Sequence, residues 1–192
     1  MHAIKTSALV AAAVLGLAAS TASATVITFS GLPGTTGDPL APYTEAGFTV
    51  TPTSGNWLEA HAFGNPLPSI YVVDFNSAPF GALAVTHGGD LFSFNSLDLE
   101  SEPTPSGWEL RGSRGGVLVF DLADSRPGGS FNTILSPSSL LIDTLTFDVS
   151  AGPGSFNVDN INVELAAAVP EPASFVLLLA GISGLGLARR RR

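Results

Sequence analysis

Between Thr25 and Leu165 the chain never runs far without a turn residue: short stretches of alternating, β-branched or aromatic residues are divided by Gly, Pro, Asn and Ser. The 21 Gly and 14 Pro are spread out rather than clustered or periodic, which excludes a collagen-like repeat and any helix of more than a turn or two in this region. The runs read as strands over 26–29, 47–51, 57–62, 70–75, 83–86, 91–100, 108–111, 117–122, 130–135, 141–149 and 156–165. Many short strands at this spacing imply an all-β domain, an antiparallel two-sheet β-sandwich of jelly-roll type; a closed barrel is the alternative that the sequence leaves open.

Two of these runs change parity partway. In L-F-S-F-N-S-L-D-L-E the apolar residues move from even positions (Phe92, Phe94) to odd ones (Leu97, Leu99), and in S-F-N-V-D-N-I-N-V-E-L they move from Phe156 and Val158 to Ile161, Val163 and Leu165. Strand side chains alternate with period two, so one face stays buried only if an extra residue is inserted at the change. β-bulges are therefore expected near Asn95-Ser96 and Asp159-Asn160.

The N-terminus is of a different kind. Lys5 supplies a positive start, Ser7–Ala19 is an apolar run, and Ala22-Ser23-Ala24 ends it with the small-x-small pattern that signal peptidase cuts, so residues 1–24 read as a secretory signal helix cleaved after Ala24. The sandwich domain then spans 25–165, and 166–192 is a separate tail. There is no Cys, which removes disulfides, thiolate metal sites and a Cys nucleophile. Between Thr25 and Ala168 only Arg111, Arg114 and Arg126 stand against 15 acids, a formal charge of −12. A body this acidic repels a phosphate backbone, so nucleic acid is not a partner.

Few residues in the body invite a chemical role. Asp98, Glu100 and Glu102 share one face of a strand, a row that fits either glycosidase carboxylates, hard-cation ligands or, more plainly, the solvent face of an edge-facing strand. Asp159 and Asn160 sit at an expected bulge, where a carboxylate and an amide can bind a structural Ca²⁺ or simply hydrogen-bond a neighbouring turn. Among the candidate sugar-stacking aromatics Tyr43, Trp57, Tyr71 and Trp108, mostly core or rim packing, Trp108 stands out, with Arg111 and Arg114 near enough to hydrogen-bond hydroxyls. His87-Gly88-Gly89-Asp90 reads as a turn; no G-x-S-x-G or H-E-x-x-H accompanies it, and no catalytic residue is assigned. No cofactor is expected beyond that Ca²⁺.

The tail has three parts in order: Pro170-Glu171-Pro172, an uncharged run over 173–188, and the cluster Arg189, Arg190, Arg191, Arg192. The run is 16 residues, about 24 Å as a helix against about 30 Å of hydrocarbon, and it holds three glycines, so alone it is a marginal transmembrane segment. The arginines would keep that end in the cytoplasm and the body outside. Pro170 and Pro172 break any helix entering from the body and hold Glu171 extended.

This tripartite tail resembles the PEP-CTERM sorting signal of bacterial exported proteins. The resemblance implies an exosortase substrate, recognised in the inner membrane in transit, cleaved near Pro-Glu-Pro and passed to the cell surface or an extracellular polysaccharide matrix, commonly in Gram-negative bacteria. The segments I-T-F, Y-T-E-A-G-F-T-V, F-S-F-N-S-L-D-L and F-N-V-D-N-I-N-V-E-L are similar to the jelly-roll bodies that precede such tails. Carbohydrate-binding sandwiches carry a structural Ca²⁺ in a place related to Asp159-Asn160, although Thr28-Phe29-Ser30-Gly31 offers only a hydroxyl where their first strand has an acid. The function implied is a non-enzymatic surface or matrix protein associated with exopolysaccharide or biofilm; the alternative is a carbohydrate-binding module, and behind both stands a glycoside hydrolase.

Overall fold

A computed structural model describes residues 24–74, 81–102, 106–126, 129–150 and 154–167. The signal segment before Ala24 and the sorting tail from residue 168 lie outside the described residues, as do the hydrophobic helices expected in them. Ala22–Ala166 forms one compact unit, and its described residues contain strands and turns but no helix.

Twelve strands form two antiparallel sheets: β1 (Ala24–Ile27), β2 (Tyr43–Glu45), β3 (Phe48–Gly55), β4 (Trp57–Ala60), β5 (Ser69–Asp74), β6 (Gly81–Thr86), β7 (Phe92–Glu102), β8 (Ser106–Arg114), β9 (Val117–Arg126), β10 (Asn132–Leu135), β11 (Thr144–Ser150) and β12 (Gly154–Leu165). The first sheet runs β10-β7-β12-β5-β4 with β1 also on β12, and the second runs β2-β3-β6-β11-β8-β9. This is the sandwich that the turn-divided sequence implies, and two open sheets replace the closed-barrel alternative. All eleven expected strands are present. The twelfth, β2, is too short to announce itself, and it exists because Ala46 (φ 49°) and Gly47 (φ 85°) make a two-residue hairpin turn onto β3. Gly47 is required twice, since a Cβ there would also lie 2.5 Å from His87 Nε2.

The core lies between the sheets, where alternate residues meet: Phe48 against Phe92, edge to face at 5.3 Å, and Phe94 stacked on Phe120. Both expected bulges occur, and they face one another. β12 has an extra residue between Asp159 and Asn162, and β7 has one between Ser96 and Phe94, so the two slips cancel and the ladder resumes in register. Phe92, Phe94, Leu97 and Leu99 on one strand, and Phe156, Val158, Ile161 and Val163 on the other, all remain buried across the change. Asn160 takes the left-handed conformation (φ 47°) that the bulge demands.

The bulge in β12 also marks a change of neighbour. Along Gly154–Val158 the strand pairs with β5, and along Ile161–Glu164 the same edge pairs with β1. Asp159 and Asn160 fall in the gap between these two partners.

Candidate functional site

The gap is filled by the connection from β4 to β5, residues 61–68. Asp159 is fully buried there: its Oδ2 accepts the Asn65 amide at 2.7 Å and its Oδ1 accepts the Asn160 amide at 2.8 Å. Asn160 Nδ2 donates to the Asn65 carbonyl and, at 2.9 Å, to Asp98 Oδ2, while Asp98 Oδ1 accepts the Thr133 hydroxyl at 2.7 Å. The bulge therefore does not project its polar groups into solvent; it grips a loop. Burial pushes the Asp159 carboxyl up to about 6, against the downward pull of the Asn65 and Asn160 amides, and nearby Asp98 adds to the rise.

This environment bears on the expected cation. Both Asp159 oxygens face N–H donors, which is how a protein satisfies a carboxylate with amides rather than with a metal. Among the described residues no group of three His, Asp or Glu side chains is placed to hold an ion. Nor does the segment just after β1 lack a carboxylate partner where Thr28 offers only a hydroxyl. Glu45 reaches in from β2 to accept the Thr28 amide and hydroxyl (3.0 and 2.9 Å), the Phe29 amide (2.9 Å) and the Tyr43 hydroxyl (3.0 Å). Tyr43 in turn accepts the Gly31 amide at 3.0 Å, and its pKa is raised, chiefly by burial.

The acid row on β7 also has a different setting from an edge strand. β7 lies between β10 and β12, and β10 pairs with it over Ser96–Leu99, so Asp98 guards no edge while Glu100 and Glu102 fall past the end of β10. Asp98 is tied to Thr133 and Asn160, and Glu100 Oε2 accepts Asn157 Nδ2 at 3.2 Å; the Glu102 side chain lies outside the described residues. Sequence alternation hid a further acid altogether. Glu59 faces the interior beside Ile70, is 4 % exposed, and accepts the Gly34 amide (2.8 Å) and His61 Nε2 (2.9 Å), tying the 31–40 segment to β4.

Trp108 is moved from rim to core: it is 3 % exposed, so no ring face is open to a sugar. The reason is parity, because Trp108 and Leu110 point inward while Glu109 and Arg111 point out. Arg111 lies on the outer face of the second sheet, paired with Asp148 at 2.5 Å and Glu109 at 3.7 Å; the Asp148 hydrogen bond raises its pKa. Trp57 is likewise interior, at 2 %.

The open aromatic surface is elsewhere. On the outer face of the first sheet, Leu58, Tyr71, Asn157 and Glu100 stand side by side on β4, β5, β12 and β7. Phe63, from the gripped loop, packs edge to face on Tyr71 with ring centres 5.2 Å apart and remains 36 % exposed. Its backbone carbonyl accepts the Ser69 hydroxyl at 3.1 Å. Thus the bulge holds Asn65, Asn65 holds the loop, and the loop sets Phe63 on Tyr71. Asp143 on the other sheet shows the same economy of acids: the Gly115 amide at 2.6 Å lowers its pKa.

The fold and this surface define an acidic β-sandwich with an aromatic and polar outer face. Residues 168–192 match the family described as the PEP-CTERM protein-sorting motif, so the chain carries the sorting motif of PEP-CTERM domain-containing proteins. That motif marks an exported protein, processed by exosortase and directed to the cell surface. No curated protein matches the chain. Solved structures similar to it include a family 29 carbohydrate-binding module (14 % identity, TM-score 0.45, covering 79 % of this chain and 96 % of that one). A second is CBM29_1, a family 29 module from Piromyces equi (13 %, 0.44, 76 % and 92 %). A third is the family 32 module of C. perfringens NanJ in complex with galactose (18 %, 0.43, 62 % and 94 %).

Proposed function

We propose that the chain is a non-enzymatic protein of the cell surface or extracellular matrix, freed from its leader by signal peptidase, passed through the inner membrane of a Gram-negative bacterium and associated there with exopolysaccharide or biofilm. The observation that carries the reading is the sorting motif at 168–192, which follows directly on the last strand of a folded body ending at Leu165. A binding rather than a hydrolytic role is supported by the carboxylates: Asp98, Glu100 and Asp159 each accept a hydrogen bond from a neighbouring residue of the fold. The test is processing in a strain with and without exosortase. Mass spectrometry should find the wild-type chain without its tail, and Glu171→Ala full-length and retained in the membrane. Equal processing of the two would overturn the sorting mechanism.

The second reading, a carbohydrate-binding module, is favoured by the Phe63–Tyr71 rings beside the Asn157 amide and Glu100 carboxylate, an apolar platform with polar groups at its side. A panel of polysaccharides run against the protein tests it, and failure to bind any member would remove it.

A further inference from the structure

Resting on the carbohydrate-binding reading, we propose that the outer face of the first sheet, at Phe63, Tyr71, Asn157 and Glu100, binds an uncharged, hydroxyl-rich glycan chain and rejects acidic polysaccharides. The first ground is an amide left incomplete. Asn157 is 4 % exposed and gives Nδ2 to Glu100, yet its Oδ1 is buried with no hydrogen-bond partner. A buried carbonyl oxygen without a donor is destabilising, so a hydroxyl that supplied one would be favoured. The oxygen is buried, so a donor reaches it only when a side chain that covers it moves aside.

The second ground is charge. Among the described side chains the outer face of the first sheet carries Asp98, Glu100 and Glu164, and its strands hold not one Lys or Arg; Arg111, Arg114 and Arg126 are all on β8 and β9 of the second sheet. A uronate or sulfated chain laid on this face would meet like charge with no cation to answer it, whereas neutral hydroxyls donate to carboxylate and amide oxygens. The third ground is the platform. Phe63 and Tyr71 offer apolar ring surface to the C–H faces of a pyranose, next to Leu58.

Affinity gel electrophoresis of the full chain in mild detergent tests this, with galactomannan, xyloglucan and β-glucan as neutral probes and alginate and polygalacturonate as acidic ones at low ionic strength. At least one neutral polymer should retard the protein and neither acidic polymer should. Phe63→Ala and Tyr71→Ala should each weaken retention by about tenfold or more, with Val117→Ala on the second sheet unchanged. Phe63 lies on a loop and is partly exposed, so its variant decides if Tyr71→Ala fails to fold. Retardation by the acidic polymers alone would overturn the charge argument and leave the carbohydrate reading standing. Retention by a neutral polymer that both variants keep would overturn the site, and no retention by any polymer would remove the carbohydrate reading and the site together.

Discussion

Asp159→Asn removes a buried carboxyl whose proton affinity is strongly shifted, and its effect is legible as a dependence of stability on pH. The folded-state pKa is about 6 and the ordinary value is 3.8. Between these two values the folded state holds a proton that the unfolded state has released, so stability falls as pH rises through this window and is flat above it. The shift of about two units corresponds to about 3 kcal/mol. Urea midpoints of wild type and variant at pH 4, 5, 6, 7 and 8 measure it. Whatever constant offset the variant suffers from setting an amide NH₂ against a backbone N–H, the gap between the two profiles should move against the wild type by about 2.4 kcal/mol from pH 4 to pH 7, the rest of the shift falling below pH 4, and then stop moving. Parallel profiles would refute the argument, as would a wild type that gains on the variant with rising pH, the behaviour of a carboxylate whose two amide hydrogen bonds outweigh its burial.

Other outcomes follow from the same geometry. Asn160→Ala keeps a Cβ in left-handed backbone and loses the contacts to Asp98 and Asn65; it should cost about 1–3 kcal/mol, and Asn160→Gly about 1 kcal/mol less, by urea denaturation. Glu45→Ala strips the acceptor from the Thr28 and Phe29 amides and should cost about 2–4 kcal/mol, which Tyr43→Phe should not approach; thermal melts compare them. Trp108→Ala should act as a core truncation of about 3–5 kcal/mol and leave polysaccharide retention by the folded fraction unaltered. Chelator should leave the melting temperature where it is, because amides already satisfy Asp159; a fall of several degrees would show that a cation is held after all.

Much of the fold was written in local patterns. Alternation and turn residues located eleven strands, and the parity changes at Asn95-Ser96 and Asp159-Asn160 located both bulges, because a buried face leaves a period-two sequence no other way to slip. The parity of Trp108 with Leu110 was an available signal for its burial, outweighed by its Ser-Gly and Glu neighbours. Partnerships between distant segments left no such trace. Nothing in A-H-A-F-G-N-P-L-P marks Phe63 as a surface ring, since its position depends on Asn65 finding Asp159, 94 residues away. That Asp159 is free to meet a loop depends on where β5 ends and β1 begins along β12. Glu59 reads as an outward polar residue until its amide and imidazole donors are known, and Glu45 as an ordinary strand acid until β1 turns across it.

The full-length contact of β12 with β7 has a mechanical side. Nine residue pairs join the two strands from Ser155 to Leu165, and β5 and β1 share the opposite edge in succession. A body held by the residues that follow Leu165 is held through β12, and a pull along that strand crosses hydrogen bonds that lie perpendicular to it. The ladder is then loaded in shear, many bonds at once, rather than unzipped from one end. The strand that leads out to the sorting motif also carries Asn157, so the exit of the chain and the proposed point of grip lie on one strand.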